Sequence, residues 1–116
     1  MLTEEAAEAT LELSAAQLVL VGHSHVALAI TADNGRIGGG PAPGGSKVTL
    51  DGCWLLNPGS VGQPRDGDPR AAWMLLGLEE RFAEFHRVPY SIGRTQAEMR
   101  ERGLPGTLAA RLERGD

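Results

Sequence analysis

The chain has 116 residues, of which 41% are hydrophobic and 22% charged, so it is long enough to form one domain with its own core. Its net charge of -4 argues against a general nucleic-acid-binding surface, and its single cysteine excludes an internal disulfide and a cysteine-based metal cluster. No apolar run approaches the roughly 18 residues of a membrane span, and the acidic start is no signal peptide, so we expect a cytoplasmic protein without membrane association.

The N-terminal third predicts a helix and two strands. Residues with high helix propensity favour a helix from Thr3 to Ala16. The apolar run Gln17–Val21 stops at Gly22 and predicts a buried strand, and Val26–Thr31 predicts a second short strand. The segment Gly22-His23-Ser24-His25 is therefore expected to be the turn between two extended segments.

The middle of the chain is dominated by turn-forming residues. Asp33–Ser46 is so rich in glycine that we expect a mobile surface loop without a regular element. Lys47–Leu50 and Cys53–Leu56 predict two strands joined at Asp51-Gly52, which is a preferred two-residue hairpin turn. Asn57-Pro58-Gly59-Ser60 has proline and glycine at the central positions of a type II turn.

The C-terminal part predicts a loop, two paired strands and two short helices. The polar loop covers Gln63–Arg70, and the strands cover Ala72–Leu78 and Arg81–Val88. One helix is expected from Ser91 to Gly103, where glycine favours a left-handed cap, and another from Thr107 to Arg114. No linker is long enough to divide the chain, so residues 1–116 are predicted to form a single domain.

His23 and His25 are the first candidates for a functional site. Residues two apart in an extended segment point to the same side, so both imidazoles could converge on one metal ion. Imidazole binds Zn, Mn, Fe, Ni and Cu, and the ligand type alone therefore does not select a metal. Two ordinary loop histidines remain the alternative, because spacing specifies no third ligand.

The other chemically active residues favour structural roles. Asp66 and Asp68 lie in Arg65-Asp66-Gly67-Asp68-Pro69-Arg70, where flanking guanidinium groups indicate ion pairs within the loop rather than a catalytic pair. His86 follows a strand pattern and is interpreted as a structural or surface histidine. Cys53 is expected to be inert in its apolar strand. Ser24 and Ser60 have no acid or base placed by a nucleophile motif, which argues against a serine hydrolase.

Two segments in this order resemble the C-terminal part of the calcineurin-like metallophosphoesterases, above all their small bacterial and archaeal phosphodiesterase branch. The segments are Leu18-Val19-Leu20-Val21-Gly22-His23-Ser24-His25 and Asn57-Pro58-Gly59-Ser60-Val61-Gly62-Gln63-Pro64-Arg65. Phe85-His86-Arg87-Val88-Pro89-Tyr90 and the closing helices are also similar to that branch. The resemblance therefore covers nearly the whole chain.

The resemblance implies both a fold and a site. The expected fold class is α/β: half of an α/β sandwich, with a mostly β layer from Leu18 to Val88, flanked by an N-terminal helix and two short C-terminal helices. The resemblance further implies that His23 and His25 each give one ligand to one of two divalent transition metals (Mn, Fe, Zn or Ni). The implied substrate is a small phosphoester, and the implied reaction is phosphodiester or phosphomonoester hydrolysis.

The chain also departs from the family's pattern. The family's Asp-x-His, Gly-Asp-x-x-Asp and Gly-Asn-His-Asp/Glu motifs do not occur, and Gly67-Asp68-Pro69-Arg70 fails the second because Ala71 follows it. We therefore expect the C-terminal segment of an enzyme, with weak metal binding, no catalysis by itself, and exposed apolar surface that favours a homo-oligomer. The alternative is a non-catalytic association module or split-enzyme subunit that retains the His-x-His as a relic.

Overall fold

The computed structural model describes residues 17–33 and 35–116, in which seven strands precede two helices. The elements are β1 (Leu18–Leu20), β2 (Leu28–Asp33), β3 (Arg36–Pro41), β4 (Lys47–Thr49), β5 (Cys53–Asn57), β6 (Ala71–Gly77), β7 (Phe82–Val88), α1 (Ile92–Glu101) and α2 (Gly106–Arg111). The predicted α/β class is confirmed. The predicted helix Thr3–Ala16 lies outside the described residues.

The strands are divided between two sheets. The first sheet has the order β1-β5-β2-β3, in which β1 runs parallel to β5 and the other pairs are antiparallel. The second sheet has the order β4-β7-β6 and is antiparallel throughout. The β layer expected from Leu18 to Val88 therefore consists of two sheets, and the chain crosses between them before and after β4 and again after β5.

A common apolar core joins the two sheets. It contains Ala29 and Leu56 from the first sheet and Ala83 and Phe85 from the second, and Phe85 is only 1% exposed. A further buried cluster on the first sheet contains Leu28, Ile30 and Leu55. Because neighbouring residues of one strand point to opposite faces, the first sheet is apolar on both sides.

The outer face of the second sheet carries exposed apolar side chains. Trp73, Leu75 and Val88 are 39%, 47% and 46% exposed. The indole of Trp73 stacks on the imidazole of His86, with ring centroids 4.4 Å apart. His86 is thus a surface histidine, as predicted, and it also contacts Glu84 through Nε2 at 3.2 Å.

The prediction of a structureless loop over Asp33–Ser46 is wrong. Arg36–Pro41 forms β3, which pairs with the whole of β2 from Asp33↔Arg36 to Leu28↔Pro41. The ladder of the neighbouring strand stabilises a segment whose composition alone disfavours regular structure. The β2–β3 ladder ends at the pair Asp33↔Arg36. Asn-Gly between these two positions is a preferred two-residue hairpin sequence, so the sequence did contain a signal for this hairpin.

The predicted hairpin around Asp51-Gly52 is also wrong, although both of its strands exist. β4 pairs with β7 in the second sheet, whereas β5 pairs with β1 and β2 in the first. Buried Leu50 lies at this crossing, where its carbonyl oxygen accepts hydrogen bonds from Nε and Nη2 of Arg81 at 3.1 and 2.9 Å. The turn therefore carries the chain from one sheet to the other.

The C-terminal predictions are confirmed. β6 and β7 form the expected antiparallel pair, from Ala71↔Val88 to Gly77↔Phe82. α1 begins after Ser91, and Gly103 just beyond its end has a left-handed φ of 74°. Within the described ranges, no helix is long and apolar enough to cross a membrane.

Candidate functional site

The candidate site begins at a bend between β1 and β2 that contains both predicted histidines. His23 and His25 have φ angles of 73° and 59°, and the Ser24 amide donates to the Gly22 carbonyl oxygen at 2.9 Å. The left-handed region is unusual for residues other than glycine and is enriched at functional sites. The segment is thus the turn that was expected between two strands. Because it is not extended, alternation along a strand does not set the direction of the two rings.

Buried Asn57 connects this histidine bend (residues 22–25) to the end of β5. Asn57 is only 1% exposed. Its Nδ2 donates to the Gly22 carbonyl oxygen at 3.3 Å and to Ser24 Oγ at 2.9 Å. Its Oδ1 accepts a hydrogen bond from the Gly59 amide at 2.9 Å. The structure thus brings together the two motifs on which the family resemblance depends.

The Asn57–Ser60 turn packs closely against its surroundings. Gly59 has a φ of 89°, as the predicted type II turn requires at this position. A Cβ atom on Gly59 would lie 2.8 Å from Ala72 Cβ and 3.3 Å from Ala27 Cβ. Glycine is therefore needed here both for backbone conformation and for space.

The ring of His25 is held in one tautomer. Its Nδ1 lies 2.9 Å from the Gln63 carbonyl oxygen, and because that oxygen can only accept, Nδ1 carries the proton. In the neutral imidazole with this tautomer, Nε2 carries the lone pair that can bind a metal ion. Metal-binding histidines commonly donate their other ring N–H to a carbonyl or carboxylate, so this arrangement fits a ligand.

An open cavity of about 290 Å³ lies against the bend. Its lining residues are His23, Ser24, Val26 and Arg65. His23 is exposed, and the Arg65 amide donates to the His25 carbonyl oxygen at 3.0 Å. The cavity is therefore lined by two basic residues, of which Arg65 has its backbone bonded to the histidine bend.

The loop Arg65–Arg70 contains ion pairs, as predicted. Nη2 of Arg70 lies 2.7 Å from Asp68 Oδ2, and its side-chain hydrogen bonds lower the pKa of the Asp68 carboxyl below its usual value. Asp66 pairs instead with Arg87 of β7. The two carboxylates are therefore engaged with cations.

Arg87 is a structural residue that the sequence did not reveal. Its side chain is only 3% exposed, and burial lowers the pKa of its guanidinium group. Besides pairing with Asp66, its Nη1 donates to the carbonyl oxygens of Asp68 and Arg70 at 3.3 and 3.1 Å. These partners are distant in sequence, and no local pattern marks them.

The remaining candidates also have structural roles. Ser24 Oγ accepts from Asn57, and Ser60 Oγ accepts from the Gln63 amide at 2.8 Å. The single thiol, that of Cys53, is half-buried in β5. Neither serine is arranged as an activated nucleophile, since each hydroxyl oxygen serves a structural hydrogen bond.

The described residues supply only part of a metal site. Across residues 17–33 and 35–116, no three side chains of His, Cys, Asp or Glu come together as ligands. The tautomer of His25 and the exposure of His23 fit two imidazole ligands, but a site for a divalent ion needs further donors.

Comparison with known proteins places this geometry in a family. The model of the calcineurin-like phosphoesterase superfamily domain matches residues 2–81. A crystal structure of a metallophosphoesterase from Sphaerobacter thermophilus is 41% identical and superposes with a TM-score of 0.83, over 95% of this chain and 47% of that one.

A curated relative gives the same result. The uncharacterized protein MJ0912 of Methanocaldococcus jannaschii is 34% identical over 97 residues, which cover 82% of this chain and 38% of that protein. The chain thus spans less than half the length of the solved structure and of the curated relative that it matches. Family match, structural likeness and the joined histidine and Asn57 motifs agree: the chain belongs to the calcineurin-like phosphoesterase superfamily.

Proposed function

We propose that this chain supplies His23 and His25 to a two-metal site that hydrolyses small phosphoesters, with phosphodiesters as the first candidates and phosphomonoesters as the second. The observation that carries the proposal is the tautomer of His25, whose Nδ1–H···O=C bond to Gln63 leaves Nε2 as a ligand. Membership of the phosphoesterase superfamily supports the reaction class.

The chain's own residues prepare the ligands. The Gln63 carbonyl holds the proton at Nδ1 of His25, and Asn57 holds the bend by bonding Gly22 and Ser24. A divalent ion (Mn, Fe, Zn or Ni), when bound, would polarise the phosphoryl oxygen as a Lewis acid. The open cavity beside His23 leaves room for a small substrate at the same place.

Further ligands have to come from outside the described residues. Asp66 and Asp68 are the carboxylates nearest in sequence to Arg65, but each is paired with an arginine, so binding a metal ion would break an ion pair. We therefore expect the chain alone to bind metal weakly, to lose it to chelators and to have no hydrolytic activity. Activity requires an N-terminal half of the family that carries the Asp, His and Asn ligands.

A second candidate function is a non-catalytic association module. The exposed Trp73, Leu75 and Val88 on the second sheet favour association with a partner or with a second copy, as a homo-oligomer. In this case the histidines have no metal-binding role. Placement in the cytoplasm stays a prediction under either function.

Zinc and manganese titrations of the purified chain, followed by calorimetry, test the proposal. His23→Ala and His25→Ala should each weaken binding at least tenfold, while His86→Ala, a histidine on the outer face of the second sheet, should leave it unchanged. Equal binding by all four proteins would refute the metal assignment.

Hydrolysis of bis(p-nitrophenyl) phosphate tests the reaction itself. We expect turnover only when the N-terminal half of the Sphaerobacter thermophilus metallophosphoesterase is added, and its loss in His25→Ala. Metal-dependent turnover by the chain alone, lost in His25→Ala, would show that a carboxylate of this chain completes the site, with Asp66 and Asp68 as the first candidates. No turnover with the added half, together with metal binding that ignores His25, would favour the association module.

A further inference from the structure

We propose that Arg65 forms an anion-binding subsite that holds the phosphoryl oxygens of the substrate beside the histidine bend. This inference rests on the proposed phosphoester function and adds a residue that recognises the substrate. It concerns the guanidinium group and its surroundings, rather than the metal ligands.

The position of Arg65 places its charge at the cavity. Arg65 lines the same open cavity as His23, Ser24 and Val26. Its amide donates to the His25 carbonyl oxygen at 3.0 Å, so its backbone lies one hydrogen bond from a candidate ligand. At about 290 Å³, the cavity is at the small end of ligand sites, which span about 300–1,000 Å³, and it suits a phosphoryl group with a small substituent.

The backbone on both sides of Arg65 is fixed. On the N-terminal side, the Gln63 amide donates to Ser60 Oγ and the Gln63 carbonyl accepts from His25 Nδ1. On the C-terminal side, buried Arg87 pairs with Asp66 and bonds the Asp68 and Arg70 carbonyls. A side chain on a fixed backbone loses less conformational freedom when it binds a ligand.

The charge of Arg65 is not used inside the described part of the protein. Nη2 donates to Oε1 of Gln63 at 2.7 Å, a neutral acceptor that orients the group. No carboxylate of the described residues lies within ion-pair distance of it, whereas neighbouring Arg70 and Arg87 both have one. Because Arg70 and Arg87 are paired with the two loop carboxylates, the positive charge of Arg65 remains available to a ligand in the cavity that this residue lines.

This chemistry suits an oxyanion, and under the proposed phosphoester function that oxyanion is a phosphoryl group. A guanidinium is a planar donor that binds two oxygens of a phosphate or carboxylate at once, and it is charged at every physiological pH. It repels metal ions, so it cannot be one of the donors missing from the metal site. An anion that reaches both Arg65 and His23 is therefore the ligand that the cavity fits.

Titration of the chain with inorganic phosphate, in the presence of a chelator, tests the subsite without any metal. Nitrogen-15 NMR would follow the amides of residues 23–26 and the Arg65 side chain. We expect saturable shifts in the wild type, a dissociation constant raised at least tenfold in Arg65→Gln, and an intermediate value in Arg65→Lys, which keeps the charge but loses the planar donor pair. Arg100→Gln, an exposed position on α1, should titrate like the wild type.

The outcomes separate this inference from the proposed function. Unchanged phosphate binding in Arg65→Gln, or no saturable binding in the wild type, would overturn the subsite while the metal titrations of His23→Ala and His25→Ala stand. If phosphate binding is weakened in Arg65→Gln while metal binding is unchanged in His23→Ala and His25→Ala, the anion-binding subsite is supported and the metal site is refuted. Thermal melts of each variant confirm that it is folded, which is expected because the Arg65 residue is exposed.

Discussion

Replacement of Gly59 by alanine tests whether the Asn57–Ser60 turn is as closely packed as the structure has it. Alanine at a φ of 89° costs about 1–2 kcal/mol because its Cβ is strained in the left-handed region. The same Cβ would lie 2.8 Å from Ala72 Cβ, and such overpacking costs about 1–3 kcal/mol. We expect the free energy of unfolding to fall by about 2–5 kcal/mol, and Tm by roughly 8–20 °C at about 4 °C per kcal/mol.

Two other glycines separate the contributions in urea and thermal denaturation. Gly52 has a φ of 81° but open space around it, so Gly52→Ala should cost only the strain, about 1–2 kcal/mol. Gly62 has neither the strained φ nor a close neighbour, so Gly62→Ala should change stability by less than about 1 kcal/mol. Equal losses in Gly59→Ala and Gly52→Ala would show that contact with Ala72 contributes nothing, and no loss in Gly59→Ala would refute the turn geometry.

Three further variants test the supports of the site. Arg87→Ala should lower the free energy of unfolding by about 3 kcal/mol or more in urea titrations. It removes a side chain that is only 3% exposed and leaves the carboxylate of Asp66, whose side chain is 18% exposed, without its partner. Exposed Arg94→Ala should cost less than about 0.5 kcal/mol, and equal losses would contradict the buried pair. The hydrogen bonds from Arg70 lower the folded-state pKa of Asp68, so their stabilisation is present above the ordinary pKa of 3.8 and is lost as pH falls through the folded-state pKa. The free energy of unfolding of Asp68→Asn should not show this loss when pH is lowered. If wild type and Asp68→Asn lose stability equally in acid, the ion pair contributes nothing. Asn57→Ala should lower the free energy of unfolding by about 2–3 kcal/mol, because it removes three hydrogen bonds made by a buried side chain. Amide hydrogen exchange of residues 22–25 should be faster in this variant. Exchange as slow as in the wild type would show that another group holds the histidine bend.

Local signals were sufficient where an element's partners are close in sequence. The β6–β7 pair and α1 follow from short-range alternation, apolar patterning and a glycine cap, and all lie where the sequence placed them. The apolar run before Gly22 correctly located β1 and therefore the bend that follows it, but the prediction that this strand is buried is wrong, since Leu20 is 55% exposed. The family motifs correctly associated this bend with Asn57.

Long-range partners account for what the sequence could not give. The glycine-rich strand β3 is stabilised by its pairing with β2. At Asp51-Gly52 the local sequence favours a hairpin, but β4 pairs with β7 instead of β5. His23 and His25 have left-handed φ angles in a bend that is hydrogen-bonded to Asn57 and Gln63, which are more than 30 residues away in sequence. No local sequence pattern indicated that Arg87 is buried, since this residue lies in β7 and its partner Asp66 lies in a loop about 20 residues earlier.

The position of β7 at the centre of the second sheet has a consequence for folding during synthesis. β4 and β6 both pair with β7, the last strand to be made, so neither has a ladder partner in the second sheet until Phe82–Val88 has been synthesised. Closing such non-local pairs is slow, and unpaired strands expose backbone and apolar side chains in the meantime. A nascent chain that pauses before residue 82 therefore presents the core-facing side chains of β6, Ala72 and Met74, and an open β6 edge to other chains until β7 has been synthesised.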